Sequence, residues 1–255
     1  MSKLLPDLVF STARGAPSAP AMIHGHETYT YDRLADAIRR ASEGFLGLGL
    51  RHGDRVGVYL EKRPEAVIAM FATAAAGGIF VPINPLLKTK QTDHILRDCS
   101  VRFLVTSGDR LLGLNDTIDH ADFLSRVIIV GSAPPGVSAA GRIVDWNSFL
   151  TVKAKRSRYA MSSEDAAAIL YTSGSTGMPK GVILSHRNLL WGAQSVASYL
   201  GNTSCDKILA VLPLSFDYGF SQLTSGFSVG ASVVLLNYLL PHGNCPGLIP
   251  SNTRT

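Results

Sequence analysis

Cysteine is scarce: three in 255 residues, Cys99, Cys205 and Cys245, far apart in the chain. An odd count with no CxxC pair excludes a disulfide framework and a zinc site of the usual spacing. Structural thiols in a reducing cytoplasm are the expectation instead. The seven histidines are equally unhelpful to a metal. His24, His26, His52, His94, His120 and His242 form no ligand spacing. Charge is also sparse, at 17% of residues, while 46% are hydrophobic, so burial rather than disorder is expected. The net charge of +5 is dispersed, which argues against nucleic acid as a partner. Its one dense run, Lys153, Lys155, Arg156 and Arg158, reads as a solvated linker.

Long apolar runs are missing too. "MSKLLPDLVFSTARG" lacks the core of a secretory signal and reads as a short helix broken by Pro6. Residues 66–83 are uncharged and approach the length of a membrane span, but Gly77-Gly78 interrupts them and Pro82 follows. A buried helix, a tight turn and a strand fit that stretch, so no transmembrane segment is expected. No internal repeat is found.

What is present alternates. "AMIHGHETYTY" reads as a hairpin about Gly25. Asp32 reads as a helix cap, and Leu34, Ile38, Ala41, Phe45 and Leu48 form one apolar helical face that Gly47 and Gly49 end. "RVGVYL", "IFVPI", "RFLVT" and "RVIIVG" are strands, and Pro64 suits the first turn of a helix. A polar helix is expected from about Lys90 to Asp98, a surface loop over 131–141, and a short helix in "VDWNSFL". "AAAILYT" and "GVILSH" are strands, a helix follows to Leu200, and "KILAVLPL" and "ASVVLLN" flank a helix near Ser221. The expected fold class is α/β, with mostly parallel sheet layers flanked by helices. The last fifteen residues, 241–255, break the pattern and read as an irregular tail.

One stretch carries chemistry. Between two strands stands "YTSGSTGMPKG", residues 171–181. Ser173, Gly174, Ser175, Thr176 and Gly177 offer hydroxyls and bare backbone N–H groups, which can close around an anion. Lys180 adds a mobile positive charge suited to phosphate. The common nucleotide loop GxxxxGK[ST] is excluded, because Pro179 precedes the lysine and a strand, not a helix, comes next.

The longer string "YTSGSTGMPKGVILSH" resembles the signature of the AMP-forming adenylating enzymes, the acyl-CoA synthetases and their relatives. Residues 29–85 look like that family's usual start, and "LPLSFDYGF" looks like its acyl-pocket segment. The stretch from Leu212 into "VGASVVLLNYLLP" is similar, more narrowly, to acyl-CoA ligases associated with bacterial exosortase systems. The resemblance implies that a carboxylate and ATP form an acyl adenylate, which a thiol, usually coenzyme A, then intercepts, with Mg2+ required. Thr172, Ser173, Gly174, Ser175, Thr176, Gly177 and Lys180 would bind the triphosphate, with Lys180 and Thr176 acting in catalysis. Phe216, Asp217, Tyr218 and Gly219 would form the substrate pocket for a small carboxylic acid. Many relatives carry Phe-His where this chain has Ser215-Phe216. The dipeptide Phe216-Asp217 occurs in amino-acid-activating relatives, where the aspartate holds the amine; the plainer reading is that Asp217 caps the next helix. His186, at the end of a strand, is expected to be structural.

The resemblance also implies an incomplete large N-terminal domain of an acyl-CoA synthetase-like fold over 1–240, since family members are about twice this long. The adenine contacts, a Thr-Glu pair for magnesium and a C-terminal domain with its catalytic lysine have no counterpart here. A frameshifted tail, a second chain completing the site, or a non-catalytic ATP-binding role are the alternatives. Strands near Val211 and Val233 are expected to be exposed apolar edges.

Overall fold

The computed structural model describes residues 4–133, 135, 141–154, 159–172 and 179–237. These form two sheets with helices packed on both.

The chain enters through α1 (Asp7–Gly15) and the hairpin β1 (Pro20–His24) and β2 (Glu27–Thr30). Pro6 sits at the N-cap of α1 rather than breaking it, because a residue there needs no N–H partner. Gly25 turns the hairpin with φ of +59°, a conformation that costs glycine little. Next comes α2 (Tyr31–Gly47). Its cap is Thr30, whose side chain accepts the Arg33 N–H, and Asp32 lies inside the first turn. Leu34, Ile38, Ala41 and Phe45 are fully buried, as their spacing requires.

The larger sheet then begins: β3 (Arg55–Tyr59), α3 (Pro64–Ala75), β4 (Ile79–Pro82), α4 (Thr89–Asp98), β5 (Phe103–Ser107), α5 (Gly108–Leu112), α6 (Asn115–Asp119), β6 (Arg126–Val130), β7 (Ile143–Asp145), α7 (Trp146–Phe149), β8 (Ala166–Thr172) and β9 (Lys180–Ser185). Val144 and Asp145 belong to strand β7, so "VDWNSFL" is part strand and not all helix. The β-branched pair Ile143-Val144 pairs with β6, and Asp145 caps α7 by accepting the Ser148 N–H. The uncharged run 66–83 is the buried helix, turn and strand expected of it; α3 is apolar on every side because it is covered on every side.

The seven strands run in the order β7-β6-β5-β3-β4-β8-β9, all parallel except the final antiparallel pair. From β3 the chain moves outward to β4, then returns past β3 to β5. The crossovers therefore change sides between β3 and β5, a doubly wound arrangement. Alternate residues serve opposite faces. Phe103 and Val105 join the core with α2 and α3, while Leu104 joins the smaller cluster under α4, α5 and α6.

The smaller sheet is completed from the far end of the chain. After α8 (His186–Leu200) come β10 (Lys207–Ala210), α9 (Asp217–Val229) and β11 (Ser232–Leu235), in the order β10-β11-β1-β2. Val233 is thus interior, paired on both sides and fully buried, and not the exposed edge expected of it. Its neighbour is β1, a strand about 200 residues earlier that sequence periodicity could not match to it. Among the described residues the edge there is β10, where Leu209 is exposed, as is Leu212 just beyond it. The tail 241–255 lies outside the described residues, as do Lys155, Arg156 and Arg158. Lys153 pairs with Glu43 at 3.1 Å.

Candidate adenylate-forming site

The signature loop hangs from the β8–β9 hairpin. Thr172 and Lys180 are Cα partners in register at its open end. Both are exposed, facing one another across the mouth. Ser173, Gly174, Ser175, Thr176 and Gly177 lie outside the described residues. The glycine after the lysine has a packing cause: a Cβ on Gly181 would stand 2.7 Å from the Ile169 side chain, and the Tyr171 ring lies just beyond. His94, on α4, holds the residue before Lys180, its Nε2 3.2 Å from the Pro179 carbonyl as a donor. No spacing rule could have named His94, because the contact joins residues 85 apart.

Beneath the hairpin, Tyr171 is tied down by polar neighbours. Its hydroxyl donates to the Asp98 carboxylate and lies 3.1 Å from the Cys99 sulfur. Burial, and then the Asp98 carboxylate, push its pKa well above the usual phenol value. Tyr171 is therefore a fixed neutral post. Cys99 and Cys205 are both free thiols.

Two clefts meet at the hairpin mouth. One, of about 260 Å³, is lined by Asn84, Gln91, Tyr171, Thr172, Pro179 and Phe216 among others. The other, of about 240 Å³, is lined by Tyr171, Thr172, Val182, Leu184, Phe216 and Asp217 among others. Phe216 thus borders both. Asp217 does not cap α9. The N-cap is Phe216, with no side-chain hydrogen bond, and Asp217 stands in the first turn, where the helix dipole favours its charge. Tyr218 is 77% exposed and lines neither cleft. Gly219 serves packing: a Cβ there would lie 1.9 Å from the Pro213 carbonyl oxygen.

His186 opens α8 rather than ending the strand, and its burial is structural. Nδ1 accepts the Leu5 N–H at 3.1 Å, pinning the N-terminal segment to the hairpin. Burial drives its pKa down to about 4. Among the described residues no group of three His, Cys, Asp or Glu side chains could hold a metal ion.

The family profile of AMP-binding enzymes matches residues 9–242. The chain belongs to this AMP-forming, adenylating family. It is 30% identical over 210 residues to the crotonobetaine/carnitine–CoA ligase of Salmonella agona, and 31% over 215 residues to that of Salmonella enteritidis. Those matches take in 82% of this chain and 40% of each relative, so the chain spans well under half the length of the ligases it resembles. Among solved structures, the anthranilate CoA ligase AuaEII in complex with anthranoyl-AMP superposes with a TM-score of 0.84 at 26% identity. That overlap covers 92% of this chain and 45% of AuaEII. The N-terminal subdomain of Klebsiella oxytoca NpsA, in complex with 3-hydroxybenzoyl-AMSN, gives 0.71 at 25% identity, covering 94% and 55%. The mixed α/β fold, with its parallel layers, matches the N-terminal part of these adenylate-forming ligases. No described helix is long and apolar enough to cross a membrane.

Proposed function

We propose that residues 1–240 are the N-terminal portion of an AMP-forming carboxylate–CoA ligase, and that the β8–β9 hairpin presents its triphosphate-binding loop. The observation that carries this is the pairing of Thr172 with Lys180 at the mouth of clefts walled by Phe216. Residues 173–179 then lie between two strands that fix both ends of the loop. Ser173 to Gly177 would direct N–H and hydroxyl groups at the β- and γ-phosphates, and Lys180 would balance their charge as pyrophosphate departs. Thr176 would contribute its hydroxyl to the same charge. When bound, magnesium would draw negative charge from the phosphate oxygens. The described residues carry no carboxylate cluster for it. Its ligands would be the phosphates and groups outside these elements.

Phe216 and Asp217 would meet the carboxylic acid. Asp217 caps no helix, which leaves its carboxylate able to receive a substrate amine; an amino-acid-like acid is the narrower form of this reading. Coenzyme A as acceptor, the exosortase-associated subfamily and a reducing cytoplasm fit the family and the two free thiols. Alone, this portion would bind ATP without completing the reaction, and a further segment or second chain would supply the rest.

Titrating the chain with ATP in the presence of magnesium tests the core of the proposal. Binding should weaken at least tenfold in Lys180→Ala, and pyrophosphate exchange should appear only when the complementary portion is added. ATP affinity untouched by Lys180→Ala would overturn it. Equal adenylation of an amino acid and its deaminated analogue, in the completed enzyme, would remove the role of Asp217.

A further inference from the structure

A third cavity, of about 100 Å³, lies where the two sheets meet. Every strand that reaches it does so by its carboxyl end: Leu60, Glu61 and Lys62 come after β3, Ile83 and Asn84 after β4, Val211 and Pro213 after β10, and Asn237 after β11. Arg110, beyond β5, closes the side. The cavity therefore opens at the switch between β3 and β5, where open α/β sheets bind their ligands. It also shares Pro82, Asn84 and Ser215 with the cleft beside Thr172.

Two polar groups there are incompletely matched: a hydroxyl with no partner and an ammonium with no counter-charge among the described residues. Ser215 is 7% exposed, and its hydroxyl has no hydrogen-bond partner among the described residues. A buried hydroxyl without a partner is uncommon and marks a place for one. Lys62 is equally buried. Its ammonium donates to the Ala210 carbonyl at 2.6 Å and the Leu236 carbonyl at 2.7 Å, but no described carboxylate lies within ion-pair distance. Glu61 is taken by Arg110, so that pair is neutral and Lys62 carries the net charge. A buried unpaired charge is costly, and burial lowers the Lys62 pKa to about 8. The other walls, among them Val58, Leu60, Met70 and Leu214, are apolar.

We propose that this cavity is the tail pocket of the site, and that it takes the second carboxylate of a short dicarboxylic acid, held by Lys62 and Ser215. The acid would lie with its reacting carboxylate in the cleft by Thr172 and its distal carboxylate past Ser215. A carboxylate occupies two to three waters' worth of space, which this cavity offers. The identity of the ligand as substrate rests on the ligase reading; the anion site does not.

The test compares glutarate with pentanoate, which match in length but differ in distal charge. Their binding to the whole chain is measured by titration calorimetry at fixed ionic strength. Glutarate should bind at least tenfold more tightly, Ser215→Ala should weaken it several-fold, and Lys62→Met should erase the preference. Equal binding of the two acids, or a preference that survives Lys62→Met, overturns the proposal. Should Lys62→Met fail to fold, Ser215→Phe fills the cavity while leaving the Lys62 bonds in place; glutarate binding that persists in it is equally fatal. ATP is titrated in parallel. A glutarate preference without ATP binding keeps the anion site and sinks the ligase reading, and the reverse result sinks the pocket alone.

Discussion

Acid should loosen this protein through one histidine. His186 is 1% exposed and accepts the Leu5 N–H through Nδ1, so it must be neutral with its proton on Nε2. It is also the first residue of α8, where the helix dipole opposes a cation. Burial lowers its pKa from 6.5 to about 4, with Asp165 and Asp7 only partly offsetting the effect. Between those values the unfolded chain binds a proton that the folded chain refuses. Stability from this residue is therefore complete above pH ~6.5 and is lost progressively as pH falls to ~4. A gap of roughly 2.5 pH units corresponds to about 3 kcal/mol, a large part of a typical domain's stability. The measurement is urea denaturation from pH 7.5 to 4, on the wild type and on His186→Asn, which keeps an acceptor near the Nδ1 position but does not titrate. The wild type should lose about 3 kcal/mol more than the variant across that window. Asp165, held low first by the Ser162 N–H, titrates in both proteins; only its smaller coupling to His186 differs between them. Identical pH profiles would refute the argument, since they would mean that His186 is protonated or solvated in the fold.

Three further outcomes are expected. Gly219→Ala must move the Pro213 turn, because the new Cβ would sit 1.9 Å from a backbone oxygen; thermal denaturation should show a loss of ~1–3 kcal/mol, and the Phe216 wall should shift with it. Tyr31→Phe removes a 2.7 Å hydrogen bond to the Ala231 carbonyl and leaves that oxygen buried, costing about 1–3 kcal/mol in the same assay. On the edge strand β9, Val182 and Ile183 are exposed, so Ile183→Lys should reduce concentration-dependent light scattering without changing the thermal midpoint by more than a degree or two.

Local structure was legible in the sequence wherever period and punctuation agreed. The bounds of β8 were readable because an apolar run ends in a hydroxyl-glycine cluster, and α2 because Leu34, Ile38, Ala41, Phe45 and Leu48 follow at helical spacing, the last of them at the C-cap. Caps were less legible. Asp32 and Asp217 are both good capping residues, yet each sits one or two positions inside its helix, with Thr30 and Phe216 at the boundary. Acidic residues serve caps and first turns by different mechanisms, and composition alone does not separate them.

The deeper limit was pairing across the chain. Val233 reads as the last strand of a chain and thus as an edge, but β1 had been waiting beside it since residue 20. The same long connection creates the tail cavity, because it brings the ends of β10 and β11 against the turn after β3. Lys62 acquires its role from that connection. In sequence it is one cation in a polar turn; in the fold its ammonium bridges the carboxyl ends of two strands, at residues 148 and 174 positions away. A lysine placed only to close those carbonyls would be indifferent to what enters the cavity. One that also selects the substrate must answer to the charge on the acid's far end, which is why the glutarate and pentanoate pair separates the two roles.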